Sequence, residues 1–397
     1  MIDKSRHVPL RPMAWNAADA ASAIEEIAAD AIARFDPERF WPAHPQDDNL
    51  ADGNTSLYIG YIGAAGVVWA LHYLAGVGAS RTRHDFRPIL PHLLAALREE
   101  FANLNYGSHG SLHFGDMGAA LVAMRLDPAP AHADLVYLRA EANAAEPIRE
   151  LMWGLPGSML ACVAMAEMTG EARWQSLYAT QAARLLDDLA ETPKGPLWTQ
   201  DLYGLREQWL GPVHGYAGNM IPVFRDWRWL TQAQQARIAD FVPRTLEGTA
   251  WRSEAGATWQ SRASIDRPPH LCQHCHGAPG MVTTFADAPF ASPELETLLI
   301  EGGKFTWTAG PLAKGSNLCH GTGGNGYAFL KLFRRTKDAV WLDRARTFAM
   351  TAIAQCREAR QQLGRGRYSL WTGDVGLACY LWDCLEGEPR FPTIDVF

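Results

Sequence analysis

Two short segments of this chain repeat the order cysteine, histidine, glycine: Cys275-His276-Gly277 and Cys319-His320-Gly321. Thiolates and imidazoles are preferred ligands of zinc, although a lone cysteine is more often a small core residue. Cys275, Cys319 and His320 make three such ligands, with no evident fourth. Because a structural zinc would take four protein ligands, this set predicts a catalytic zinc with one open coordination position.

Three further side chains are candidates for proton transfer near these cysteines. His214 directly precedes Gly215 in a similar glycine motif, which favours a general acid/base role over a capping role. His276 follows the first cysteine, and both proton transfer and support of the metal site stay open for it. Glu150 lies four residues before Gly154, where a carboxylate either stabilises a helix start or takes part in catalysis.

The elements that must position these residues are marked by seven pairs of glycines, three residues apart. Glycine at a helix start lets neighbouring backbones approach closely. A mostly apolar segment follows each pair, which is typical of a helix buried on all sides. The pairs are Gly60/Gly63, Gly115/Gly118, Gly154/Gly157, Gly215/Gly218, Gly277/Gly280, Gly321/Gly324 and Gly373/Gly376. Asp116 and Asp374, inside two of them, are interpreted as acids at helix starts, with catalysis as the alternative.

A more polar segment with helical periodicity precedes each glycine pair. In the fourth of these segments, Trp174, Leu177, Tyr178, Ala182, Leu185, Leu186 and Leu189 form one apolar stripe. The seven segments are 17–35, 88–104, 131–146, 171–191, 231–248, 292–308 and 337–360. Amphipathic helices belong outside and apolar helices inside. The pattern therefore predicts an all-α fold, an α/α toroid of seven outer and seven inner helices, as one domain over residues 1–397.

The inner helices are expected to start on the same face of the toroid, since each follows an outer helix in the same sense. Seven positive helix-dipole ends would then converge there and favour anions such as thiolates, carboxylates and enolates. Cys275, Cys319 and His320 come directly before two of these helix starts, so they are expected at this end of the toroid.

Composition excludes some classes of function. The chain has 397 residues and a net charge of −7, without a Lys/Arg cluster, which argues against nucleic-acid binding. Residues 57–77 are nearly uncharged, but they contain the first glycine pair and are predicted to form a buried helix rather than a membrane span. The start of the chain lacks the apolar core of a secretory signal. Seven cysteines without dense spacing suit a reducing cytoplasm.

At these motifs the chain resembles the lanthionine synthetase C-like family, the LanC and LanC-like proteins. The resemblance covers nearly the whole chain, and its most specific parts are residues 275–280 and 319–321 followed by Asn325-Gly326. It implies a double ring of seven outer and seven inner helices. It also implies Zn²⁺ held by Cys275, Cys319 and His320.

The resemblance also implies roles for the other candidate residues. The His-Gly-x-Ala-Gly motif of the family matches His214 to Gly218, and its histidine is a proposed acid/base. The acidic residue before the third glycine pair is Glu150, and this glutamate and His276 are closer to the LanC-like branch than to bacterial cyclases. The chain departs from cyclases at Leu271, where they commonly carry arginine.

The implied activity is zinc-dependent addition of a thiol to dehydroalanine or dehydrobutyrine, which forms a thioether. The thiol comes from a peptide cysteine or from glutathione, and the partner is a dehydrated peptide or protein made elsewhere. Two alternatives stay open. One is a glycoside-processing toroid, which would need paired carboxylates facing its centre, with Glu150, Asp116, Asp374 and Glu207 as candidates. The other is a non-catalytic toroid that binds a peptide or a partner protein.

Overall fold

The computed structural model describes residues 2–11, 13–47, 57–104 and 110–397, which form fourteen α-helices and two short hairpins. The outer helices are α1 (Ala17–Ala33), α3 (Leu90–Leu104), α5 (Pro130–Ala145), α7 (Ala172–Asp187), α9 (Gln232–Thr249), α11 (Pro293–Ala309) and α13 (Ala339–Leu363). The inner helices are α2 (Ala64–Gly76), α4 (Asp116–Leu126), α6 (Leu155–Thr169), α8 (Tyr216–Arg225), α10 (Ala278–Phe285), α12 (Thr322–Thr336) and α14 (Asp374–Glu386).

The inner helices form a closed ring. Each of them packs against the next inner helix along the chain, and α14 packs against α2. The outer helices pack against the inner ones, and α1 covers α14. The predicted all-α toroid with seven outer and seven inner helices is confirmed.

Burial separates the two rings as the sequence patterns predict. All seven apolar residues of the stripe are buried, six of them in α7 and Leu189 just beyond its end, while the remaining face of that helix is largely exposed. In α6, by contrast, every residue from Leu155 to Met165 is buried. Apolar area removed from water is the main favourable term in folding, so the two patterns settle which helices lie inside.

Helix starts also differ between the rings. Outer helices α1, α9, α11 and α13 begin at side-chain caps, Asn16, Thr231, Ser292 and Asp338. All seven inner helices begin at a glycine that contributes no side-chain cap. Backbone N–H groups at these starts instead donate to carbonyl oxygens of the preceding turn, for example from Ala64 to Leu57 and from Asp374 to Arg367. The positive ends of the helix dipoles face one end of the ring.

The second glycine of each pair is required by close packing. In every repeat, a Cβ at this position would meet the carbonyl oxygen six residues earlier, at the turn before the helix. The first repeat corrects the sequence interpretation. Its helix begins at Gly63 and the closely packed glycine is Gly66, so the structural pair is Gly63/Gly66 rather than Gly60/Gly63.

We expect Gly118→Ala to lower the free energy of unfolding by about 1–3 kcal/mol, because its Cβ would meet the backbone oxygen of Leu112. Gly76→Ala is the matched control, since an added Cβ there meets nothing within 4 Å. Thermal unfolding followed by circular dichroism measures both. Equal midpoints for the two variants would show that the glycine pairs are not needed for packing.

The strands are short and lie in loops before inner helices. β1 (Gln200–Leu202) pairs with β2 (Leu205–Glu207), and β3 (Ala250–Ser253) pairs with β4 (Gly256–Trp259), both antiparallel. The first hairpin brings Tyr203 to the rim of the candidate site described below. Among the described residues, no helix combines the length and the apolar character that crossing a bilayer requires. The apolar segment 57–77 contributes the buried inner helix α2, as predicted.

Candidate metal centre

The turns before the inner helices are joined by a belt of backbone hydrogen bonds. The residue two positions before the N-cap glycine donates its N–H to the equivalent residue of a neighbouring repeat. The donor–acceptor pairs are Cys275 to Cys319 (3.0 Å), Cys319 to Trp371 (2.9 Å), Trp371 to Tyr61 (3.1 Å) and Tyr61 to His113 (3.0 Å). This belt places Cys275 and Cys319 side by side, although 43 residues lie between them in the sequence.

Cys275, Cys319 and His320 form one cluster. Their ligand atoms all lie within 4.8 Å of one another, and both cysteines are buried. Within the described residues, the cluster contains no fourth histidine, cysteine or carboxylate. Two thiols and one imidazole are a donor set that suits zinc, and three protein ligands leave a coordination position open. The structure thus brings the three predicted ligands together as a group that could hold a metal ion.

Hydrogen bonds and burial shift the pKa values of the two thiols and of the imidazole, and not all in the same direction. The hydrogen bond from Cys319 lowers the pKa of the Cys275 thiol, and the amide of Gln273 also donates to its Sγ (2.9 Å). The same hydrogen bond, together with burial, raises the pKa of Cys319 well above its usual value. Burial lowers the pKa of His320 to about 4, with Lys314 and Arg367 acting in the same direction. His320 is therefore neutral near pH 7, as a metal ligand must be.

Gly277, which follows the first ligand turn, needs its glycine for conformational reasons. Its φ is +115°, whereas the other six N-cap glycines have negative φ. A residue with a side chain would be strained there, and its Cβ would also meet the carbonyl oxygen of Leu271.

His214 and Glu150 form a hydrogen-bonded pair beside the cluster. Nδ1 of His214 lies 2.9 Å from Oε2 of Glu150, which is fully buried. Glu150 also accepts hydrogen bonds from the backbone N–H groups of Met152 and Trp153. Because a carboxylate only accepts, Nδ1 carries the hydrogen and Nε2 is the atom left to exchange a proton. Glu150 therefore both holds a turn and orients the imidazole.

His214 occupies the same register as His276 and His320, since all three directly precede an N-cap glycine. His214 keeps 17% of its side chain exposed, and its ring lies edge-on to that of Tyr203 at 5.4 Å.

His276 lies beside the cluster, and among the described residues its Nδ1 has no hydrogen-bond partner. Its ring lies 6.3 Å from that of Trp209, and burial lowers its pKa to about 4, with the charge of His214 as a second cause. A neutral imidazole with a free nitrogen can accept a proton or hydrogen-bond a substrate. Both roles that the sequence left open for His276 therefore remain.

The acids at helix starts have structural partners. Asp116 makes two hydrogen bonds to the guanidinium of Arg139 on α5, at 2.9 and 2.8 Å. Asp374 accepts from the backbone N–H of Arg367, and burial raises its pKa to about 6. Glu207 pairs with Arg262 at 3.3 Å. Three of the four candidate carboxylates for glycoside processing thus form hydrogen bonds or ion pairs with arginines of the chain.

Sequence reasoning missed several residues around the cluster. Gln273 lies in the ligand turn itself and could have been noticed there. Arg6 donates to Oε1 of Gln273 (3.1 Å) across 267 residues, and no sequence signal connects the two. Lys314 and Arg367, in the loops before α12 and α14, lower the pKa of His320 by their positive charge. In the sequence, only their proximity to the ligand motifs could have indicated them.

The chain belongs to the lanthionine synthetase C-like protein family, whose model matches residues 48–396. A LanC-like protein of Arabidopsis thaliana, GCL1, is 35% identical over 136 residues, which are 32% of this chain and 30% of that protein. Glutathione S-transferase LANCL1 of Danio rerio is 33% identical over 129 residues, 32% of each chain. These alignments span about a third of the relatives' lengths.

A solved structure shows the same architecture. Nisin cyclase superposes with a TM-score of 0.61 at 14% identity, covering 91% of this chain and 93% of that one. This likeness supports the all-α toroid as the fold.

Proposed function

We propose that the chain catalyses addition of a thiol to dehydroalanine or dehydrobutyrine residues of a peptide or protein, with Zn²⁺ at Cys275, Cys319 and His320. The observation that carries the proposal is the three-ligand cluster beside the His214–Glu150 pair. Zinc bound there would supply the positive charge that deprotonates a coordinated thiol. Membership of the lanthionine synthetase C-like family supports the same chemistry.

The residues of the chain supply the proton transfers. As the thiolate sulfur bonds to the β-carbon, the π electrons of the dehydroamino acid move toward its carbonyl and form an enolate. Nε2 of a protonated His214 then donates a proton to the α-carbon. Glu150 stabilises the imidazolium, because its buried carboxylate accepts from Nδ1 at 2.9 Å. The proton that leaves the thiol restores His214, so the net reaction is an addition.

Glutathione is the thiol that the surroundings of the cluster favour. A cavity of about 280 Å³ is lined by Lys314, Arg360, Arg365 and Arg367, of which Arg360 pairs with Asp30 and Arg367 with Asp47. The positive charge of Lys314 favours the thiolate form of both cysteines of the cluster. Within the described residues, no carboxylate forms an ion pair with Lys314. Cationic side chains suit the carboxylates of an anionic tripeptide. One relative is named a glutathione S-transferase, which supports this choice.

A cytoplasmic location is part of this proposal. Glutathione and a zinc-binding thiol pair both suit a reducing compartment. All seven cysteines are free thiols in the structure.

The test is metal analysis followed by incubation of the protein with a dehydroalanine peptide. Two thiol sources are compared: added glutathione, and a cysteine within the same peptide. We expect one zinc per chain and thioether formation, detected by the mass of the product. Zinc without thiol consumption would favour the non-catalytic peptide-binding alternative. Absence of zinc from the protein would contradict the proposal and would leave the glycoside-processing alternative to be tested.

Lys314→Gln is expected to raise KM for glutathione about tenfold, because it removes one charge-assisted contact to a carboxylate. KM for 2-mercaptoethanol, an uncharged thiol, is expected to stay unchanged, as is the zinc content. Lys304→Gln on the exposed face of α11 is the matched control. Equal increases in KM for both thiols would show that Lys314 does not recognise the carboxylates of glutathione.

A further inference from the structure

A second cavity lies at the opposite end of the inner ring from the metal cluster. It has a volume of about 340 Å³ and is enclosed by the last turns of α8, α10 and α12 and by residues 389–395 near the chain end. This volume is in the range of pockets that hold small organic ligands. The turn that carries Cys275 separates the cavity from the cluster, since His274 lines it.

Three arginines surround the opening of this cavity. The side chains of Arg225, Arg334 and Arg390 are 32%, 35% and 35% exposed. Cations in the last turn of a helix are also favoured by the helix dipole, which applies to Arg225 and Arg334. The arginines by themselves therefore do not define a ligand site, and further features of the cavity are needed.

The balance of charge inside the cavity is positive. Lys331 is buried at its floor and pairs with Asp287 and with Asp395, the latter at 2.6 Å. These two aspartates are the carboxylates of the lining, against four cationic side chains, and Asp287 pairs with Arg334 as well as with Lys331. Arg225 pairs with Glu167 and Arg390 with Asp383, but neither acid lines the cavity. The side chains of Arg225 and Glu167 are both partly exposed, so their ion pair contributes little stability. A ligand carboxylate could therefore take the place of Glu167 at little cost in free energy.

Two polar groups of the lining have no hydrogen-bond partner within the part of the chain that the structure describes. Nδ1 of His274 and Oγ1 of Thr284 are both buried and unpaired, and the two residues are 3% and 4% exposed. A buried polar group without a partner costs free energy, so native structures rarely keep one. A polar ligand in the cavity would satisfy both groups.

The remaining wall is apolar and consists of Ile221, Phe224, Phe391 and Ile394. The ring of Phe391 stacks on His274 with centroids 4.6 Å apart. We propose that this cavity is a binding site for a small organic carboxylate with an apolar body. The carboxylate faces the arginines, the body lies along the apolar wall, and a polar atom of the ligand reaches His274 and Thr284.

Calorimetric titration of the zinc-loaded protein with phenylacetate tests the proposal. We expect saturable binding of phenylacetate, and binding at least about tenfold weaker for phenylacetamide, which has the same shape without the charge. Inorganic phosphate, which lacks the apolar body, is also expected to bind at least about tenfold more weakly. Phosphate or phenylacetamide binding as tightly as phenylacetate would overturn the ligand class.

Two variants locate the site. Arg225→Gln removes one cation from the opening, and we expect it to weaken phenylacetate binding about tenfold. Thr284→Val tests the other end of the cavity without changing charge. It is titrated with 4-hydroxyphenylacetate, whose phenolic hydroxyl supplies the polar atom for Thr284, and a loss of affinity of a few-fold is expected. Arg244→Gln, at an exposed ion pair on α9, is the matched control. Unchanged affinity in both cavity variants, or binding that disappears when zinc is chelated, would show that phenylacetate binds elsewhere.

Discussion

Cys319→Ala is expected to abolish zinc binding and thioether formation while the toroid stays folded. The variant removes one of three ligands, and two are not enough to hold zinc tightly. The fold does not depend on the metal in the way a zinc finger does, because the inner and outer helices share a large apolar core. Zinc content by mass spectrometry and the helical circular-dichroism signal measure the two effects separately.

The matched control for this variant is Cys162→Ala. Cys162 is also a fully buried free cysteine, but it lies in the middle of α6 and outside the cluster. It should keep one zinc per chain at some cost in stability. Loss of the helical signal after chelation of the wild-type protein would show instead that the metal is structural.

His214→Ala is expected to keep zinc and to slow thioether formation by about 10²–10⁴-fold, the usual contribution of a general acid/base. The structural reason is that Nε2 of His214 is the free nitrogen of an imidazole that Glu150 orients from the other side. The slowed step should be protonation of the α-carbon, with thiol binding unaffected. Reaction in deuterated water, followed alongside zinc content, separates these steps.

Two further variants sharpen this test. Glu150→Gln keeps an acceptor for Nδ1 but removes the charge that stabilises the imidazolium, so an intermediate loss of rate is expected. His270→Ala, at an exposed histidine near the ligand turn, is the control. An unchanged rate in His214→Ala would transfer the acid/base role to His276. Loss of zinc in that variant would make His214 a fourth ligand and would count against a catalytic site.

The sequence alone predicted the architecture because the signals are local. An amphipathic stripe in α7 and an all-buried segment in α6 follow from periodicity within single helices, and the repeat gives their order. The pair of Cys-His-Gly segments predicted the metal cluster for the same reason. Residues at equal positions of neighbouring repeats occupy equal positions in the ring, so Cys275 and Cys319 had to meet.

Tertiary structure decided what the repeat does not encode. The contact between His214 and Glu150 joins residues 64 positions apart, and that between Arg6 and Gln273 joins residues 267 apart. These side chains differ from repeat to repeat, so no local spacing predicts their partners. The register of the first glycine pair also needed the structure, since three glycines there offer two pairings and the helix start at Gly63 selects one. Closure of the ring brings such distant, non-repeating residues together, and only three-dimensional packing specifies which of them meet.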